Sequence, residues 1–199
     1  LSSTVVGNID QISQDVEAQL NIADFEVLGK YMVAGQSDLQ VICFTREDLK
    51  SVCEKYEDRG ALASVLKIGL RKINDTIELS LLQPKYMFYA YFGEDYKTQE
   101  IILEEIDEDA KSVLSRTYGQ LADFGGSLDI EDLKKYHYKV MMPYFDDPIV
   151  LEEYESFEEG LSFIRKKITE SKQAIQLVFE LVNESDETAV FGIGLLEKE

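Results

Sequence analysis

At 199 residues with 45% hydrophobic side chains, the chain is long enough to bury a substantial core, as one domain or two small ones packed together. Its 39 acidic side chains against 20 basic ones give a formal charge of -19, which argues against nucleic acid and an anionic membrane as partners, because binding a phosphate backbone relies on Lys and Arg displacing counterions. No apolar run approaches the roughly 20 residues needed to cross a bilayer, and Cys43 and Cys53 are too few for a disulfide framework and lack metal-ligand spacing, so both read as small core residues.

Ile9, Ile12, Val16 and Leu20 recur at helical spacing and predict an amphipathic opening helix that packs on a sheet. Residues 25–33 and 39–44 are short β-prone runs, separated by the turn-forming Gly35, Gln36, Ser37 and Asp38. Thr45 and Asp48 stand in a capping-box relation, and Leu49, Val52, Cys53 and Tyr56 then mark a helix that Gly60 should stop. Leu66, Ile68 and Leu70 alternate with polar or small residues, as do Ile77, Leu79 and Leu81. With Asn74 and Asp75 between them, the two runs predict a hairpin with one buried face. The aromatic tract 86–92 follows Pro84, which suits either the start of a helical turn or the end of a strand.

Ile102, Ile106, Ala110, Val113, Thr117 and Leu121 predict one face of a long helix, 98–122, whose other face is an acidic, solvated one. Gly125 and Gly126 then mark a hinge, and a short helix over 130–135 leads into a strand, 136–142. Ser156 and Glu159 form a second capping-box pair, opening a helix with Phe157, Leu161, Ile164 and Ile168 on one side. The closing hairpin pairs Ile175, Leu177, Phe179 and Leu181 with Ala189, Phe191, Ile193 and Leu195 across a polar turn at 183–188. The expected fold is therefore α+β: a single compact domain, 1–199, of two pseudo-repeated strand-helix-hairpin halves (24–96 and 128–199). Antiparallel-rich sheets build the halves, and the long acidic helix joins them. The start at Leu1 raises the expectation that an N-terminal segment was removed, with export as one route.

The stretch YHYKVMMPYFDDP, 136–148, holds the only histidine and three tyrosines beside two adjacent aspartates. His137 is the candidate general acid or base, since its ordinary pKa lies near neutrality, although in strand phase it shares a face with Lys139 and Met141 and can equally be a packed edge residue. Asp146 and Asp147 are candidate oxygen ligands for a hard cation, or turn aspartates ahead of Pro148. Tyr136, Tyr138 and Tyr144, with Tyr86 and Tyr89 from the aromatic tract, are candidate ligand-binding side chains lining an apolar pocket. No phosphate loop is present, because Gly125 and Gly126 lack the GxxxxGK[ST] spacing. No cofactor is implied.

Three segments carry a family resemblance: IELSLLQPKYMFYAYF at 77–92, KYHYKVMMPYFDDPIVL at 135–151 and VFGIGL at 190–195. Together they resemble the bacterial proteins of domain-of-unknown-function family 302. In the first segment Gln83 stands where the family has an asparagine, which puts any side-chain cap at that position in question. The resemblance implies an α+β fold of strand, helix and hairpin units and no established activity, and a shared fold would not determine function in any case. The functional expectation is a non-enzymatic module binding a small molecule or protein partner between the halves, with 136–147 on the rim. The runner-up is a hydrolase, metal-assisted or acid/base, using His137, Asp146 and Asp147. The third reading is a homodimer or larger oligomer built through the aromatic tract.

Overall fold

The computed structural model describes residues 1–56, 60–126, 128–133, 141–142, 149–171 and 174–196. Five strands form one sheet: β1 (Ser2–Val6), β2 (Glu26–Met32), β3 (Leu39–Thr45), β4 (Leu66–Ile73) and β5 (Thr76–Leu81). Their order is β1-β5-β4-β3-β2, with every neighbouring pair antiparallel. Period-2 alternation sends Ile42 and Phe44, Leu66, Ile68 and Leu70, and Ile77, Leu79 and Leu81 to one face, where all are buried. The β4–β5 connection is the two-residue turn expected, with Ile73 opposite Thr76. It is closed by Asn74 at φ 56°, a conformation that asparagine tolerates better than most residues.

Helices cover that face. The first, α1 (Ile9–Ile22), starts from Asn8, whose side chain accepts from the Asp10 and Gln11 amides, and buries Ile9, Ile12, Val16 and Leu20. The aromatic tract is helical: α4 (Pro84–Phe92) has Pro84 in its first turn and inserts Phe88 and Phe92 into the core. Gln83 makes no capping hydrogen bond there; instead Asp107 Oδ1 accepts from the Lys85 amide at 2.9 Å, so the cap comes from a different helix. That helix is α5 (Glu100–Tyr118), which buries Leu103, Ile106, Asp107, Ala110, Val113 and Leu114. Of the expected stripe, Ile106, Ala110 and Val113 are buried and Ile102 and Leu121 pack half-buried against the core, whereas Thr117 is exposed and Leu103, Asp107 and Leu114 join the buried face, so α5 is a layer of the main core. The stripe that wins follows a 3–4 spacing and makes a continuous seam with α1 and α4.

Two further expectations are corrected. The strand β1 went unread, because five residues give too little alternation; it pairs along β5 and bridges Ala122 through Ser2. The capping box at Thr45 does not form. Thr45 Oγ1 donates to the Ser64 carbonyl at 2.6 Å, while Asp48 accepts from Arg46 Nε and the Leu49 amide, each at 2.8 Å. The helix α2 (Glu47–Cys53) is short and ends at Glu54, so Gly60 does not stop it but opens α3 (Gly60–Ala63). A Cβ at Gly60 would lie 2.0 Å from the Cys53 carbonyl oxygen, so only glycine fits the approach.

The opposite face of the large sheet receives the C-terminal hairpin. The hairpin of β6 (Ile175–Asn183) and β7 (Thr188–Leu195) is two-stranded among the described residues, with a bulge between Leu177 and Phe179. Its Phe179 packs with Cys43 and Val65 in a smaller cluster that Leu28, Tyr31, Val41, Val178, Leu181 and Val190 complete. The seat depends on Gly29: a Cβ there would lie 2.0 Å from the Val178 carbonyl oxygen. Outside the hairpin lies α7 (Phe157–Glu170), where the Ser156 hydroxyl accepts from the Glu159 amide at 3.2 Å, and Arg165 Nε donates to Glu180 Oε1 at 2.7 Å. Among the described residues between α5 and α7, only the short α6 (Ile130–Leu133) is helical. The architecture is α+β with antiparallel sheets. The expected leading strand of the second unit, 136–142, lies outside the described residues except for Met141 and Met142. Among the described residues no helix is long and apolar enough to cross a membrane.

Candidate functional site

Where the hairpin turn meets α2 and α3, these elements line a cleft of about 540 Å³. Its first wall is built by Glu47, Lys50, Cys53, Glu54 and Tyr56 from α2 and the residues after it, with Ala61 and Ser64 beyond. The second wall is the end of the hairpin: Leu181 and Val190 on the strands, and Asn183, Glu184 and Asp186 at the turn. Each wall has a local reason to hold its shape. Asn183 Oδ1 accepts from the Ser185 amide at 3.0 Å and the Ser185 hydroxyl at 2.7 Å, which folds the turn back on itself. Asn183 Nδ2 donates to Asp186 Oδ2 at 3.0 Å and, across the cleft, to Glu54 Oε1 at 2.5 Å. Tyr56 is fixed from behind: its ring stacks on Phe92 at 4.6 Å and its hydroxyl donates to the Asp95 carbonyl at 3.2 Å. The aromatic tract therefore supports the cleft through Tyr56 without lining it.

The charge on these walls is one-sided. Lys50 Nζ lies 2.6 Å from Glu47 and 3.5 Å from Glu26, and the hydrogen bond to Glu47 leads the causes that raise its pKa. It is already neutralised. Glu54, Glu184 and Asp186 have no basic partner among the described residues. Cys53 is no nucleophile, because burial pushes its thiol up to about 12, leaving almost no thiolate at neutral pH.

The chemistry anticipated from the sequence falls elsewhere. Tyr136, His137, Tyr138, Tyr144, Asp146 and Asp147 all lie outside the described residues. Tyr86 and Tyr89 sit half-buried on α4; the Tyr89 ring stacks on the fully buried Tyr96 at 3.9 Å, and neither tyrosine is among the cleft residues. The tract's Phe88, Ala90 and Phe92 are spent on the core rather than offered to a partner. Among the described residues no three His, Cys, Asp or Glu side chains converge to hold a metal ion. One pairing that the sequence did not suggest is Ser13 with Lys30, whose Nζ donates to the serine hydroxyl at 3.1 Å. Glu17 holds the same ammonium at 2.6 Å, and Ser13 is fully buried, so the pair braces α1 against β2 and has no access to a substrate.

Buried acids of the core set an alkaline limit on the fold. Burial raises the Tyr96 hydroxyl well above its ordinary value and pushes Tyr118 up to about 12, as it does Cys53. A group raised on folding favours the native state fully below its unfolded pKa and loses that contribution as pH climbs through the folded one. The urea midpoint should therefore hold level to about pH 9 and fall steadily above about pH 10; a flat profile to pH 11.5 would contradict the burial of these hydroxyls.

No family model matches the chain, and no curated protein matches it. Among solved structures, the crystal structure of an uncharacterized conserved protein, DUF302, from Bacillus stearothermophilus is similar at a TM-score of 0.51 and 14% sequence identity, covering 58% of this chain and 95% of that one. At that identity the likeness concerns fold alone. Over that 58% the chain thus shares the fold of a DUF302 protein, in agreement with the resemblance carried by its sequence segments.

Proposed function

We propose that the protein is a non-enzymatic binding module that takes a small molecule in the cleft between α2–α3 and the β6–β7 turn. The observation that carries this reading is the cleft itself: its volume falls in the range of about 300–1,000 Å³ occupied by small-molecule sites, and it combines apolar wall (Leu181, Val190, Ala61) with fixed polar groups. Among the described residues, nothing in it resembles a reacting constellation. The thiol is protonated, the ammonium is paired, and the Asn183 amide is committed on both sides. Binding, not turnover, is what such walls do.

The test uses methyl-labelled full-length protein and three six-carbon probes, hexanol, hexylamine and hexanoate. At least one should shift the Leu181 and Val190 methyl resonances, and Ala61→Phe, which fills the cleft from the α3 side, should abolish the shift. No response to any probe, or a response indifferent to Ala61→Phe, overturns the reading.

A further inference from the structure

We infer that the cleft selects an aliphatic organic cation, a primary amine or polyamine with an alkyl body. The inference rests on the cleft being the binding site, as proposed above, and adds the class of ligand. Four carboxylates and one ammonium line the space: Glu47, Glu54, Glu184 and Asp186 against Lys50. The ammonium is not available to an incoming anion, because Glu47 and, from β2, Glu26 already hold it. Among the described residues, what remains facing the cavity is negative charge without a basic partner, which repels carboxylates and phosphates and stabilises a cation.

The geometry also separates an organic cation from a metal ion. Glu54 and Asp186 each spend an oxygen on the same Asn183 amide group, which holds them on the rim and opposes the inward convergence that a six-oxygen shell requires. Leu181, Val190 and Ala61 supply wall that a hydrated metal would leave dry and unused, whereas an alkyl chain gains by covering it. An alkylammonium places its charge at the rim carboxylates and its methylenes against the strands, so one ligand satisfies both features.

Spermidine binding measured by calorimetry at about 150 mM salt, where long-range attraction to a chain of charge -19 is screened, tests the class. Glu184→Gln with Asp186→Asn should weaken binding about tenfold. Glu105→Gln with Glu108→Gln, which removes as much charge from the exposed face of α5, should leave it within about twofold. Lys50→Met, which frees two carboxylates, should tighten binding and guards against a turn that fails to fold in the first variant. Equal losses in the two double variants, or no change in the first with none in Lys50→Met, overturn the inference. The six-carbon probes distinguish the failures: hexanol moving the Leu181 and Val190 methyls as strongly as hexylamine leaves the site standing and removes the cation class, while silence from all three removes both.

Discussion

Replacing Gly29 by alanine should detach the hairpin from the sheet while leaving the larger core folded. The new Cβ would stand 2.0 Å from the Val178 carbonyl oxygen and 2.9 Å from its carbon. Those are backbone atoms, so no rotamer change can clear them, and the bulge that presents Val178 is itself fixed by the β6–β7 register. Overpacking of this kind costs about 1–3 kcal/mol. Because the hairpin seats mainly through the cluster around Phe179, whereas the helical face has a separate core, the loss should be local. Limited proteolysis should cut at the 184–187 turn in Gly29→Ala, urea unfolding should acquire an early phase, and the cleft probes should lose their methyl shifts. Gly126→Ala is the matched control: nothing lies within 4 Å of its Cβ position, and its effect should stay within about 0.5 kcal/mol.

The second large effect is expected at Asp107. This carboxylate is 2% exposed, accepts from the Lys85 amide at the start of α4, and pairs with Lys111 one turn along α5. Asp107→Ala strips the cap, worth about 1 kcal/mol. It also leaves Lys111 without its partner, a smaller loss than in a deeply buried pair because that ammonium still reaches water. A total of about 2–3 kcal/mol follows. Asp107→Asn keeps an oxygen for the Lys85 amide and should cost about half as much. Since α4 carries Phe88, Tyr89 and Phe92 into the core, near-UV circular dichroism should change with Ala and persist with Asn. If Asn proves as damaging as Ala, the capping role is wrong and the ion pair alone matters.

Local patterns in the sequence account for most of what was legible. The alternation of Leu66, Ile68 and Leu70 with Ile77, Leu79 and Leu81 needs only its own residues and the Asn74–Asp75 turn to specify a hairpin, and Ser156 with Glu159 opens α7 in the same self-contained way. What escaped depends on partners distant in the chain. Thr45 looked like a cap, but its hydroxyl goes to Ser64 across the β3–α2–α3 corner. Gln83 looked like a lost cap, yet Asp107 supplies one from a helix beginning 17 residues later. β1 makes sense only beside β5, some 75 residues on.

The site shows the same division more sharply. Chemical density drew attention to 136–148, which lies outside the described residues except for Met141 and Met142, while the polar turn at 183–188 read as a turn and nothing else. It is a turn. Its importance comes from facing Glu54, 129 residues away from Asn183, and no spacing rule reveals that juxtaposition. The feature that did hint at it was the pair of glycines in VFGIGL: Gly192 lies under the Phe179 ring and Gly194 beside the Tyr31 ring, the signature of a strand pressed closely against its neighbours.

The central claim is that the hairpin seats on the β2–β3 face and so walls the cleft. A carbon-edited nuclear Overhauser spectrum of the full chain tests it most directly. Cross-peaks should join the Gly29 α-protons to a Val178 methyl and the Gly194 α-protons to the Tyr31 ring, at the same strength as contacts within the main core such as Ile42 to Ile68. Strong Ile42–Ile68 peaks with both hairpin contacts missing would contradict the claim and take the cleft with it.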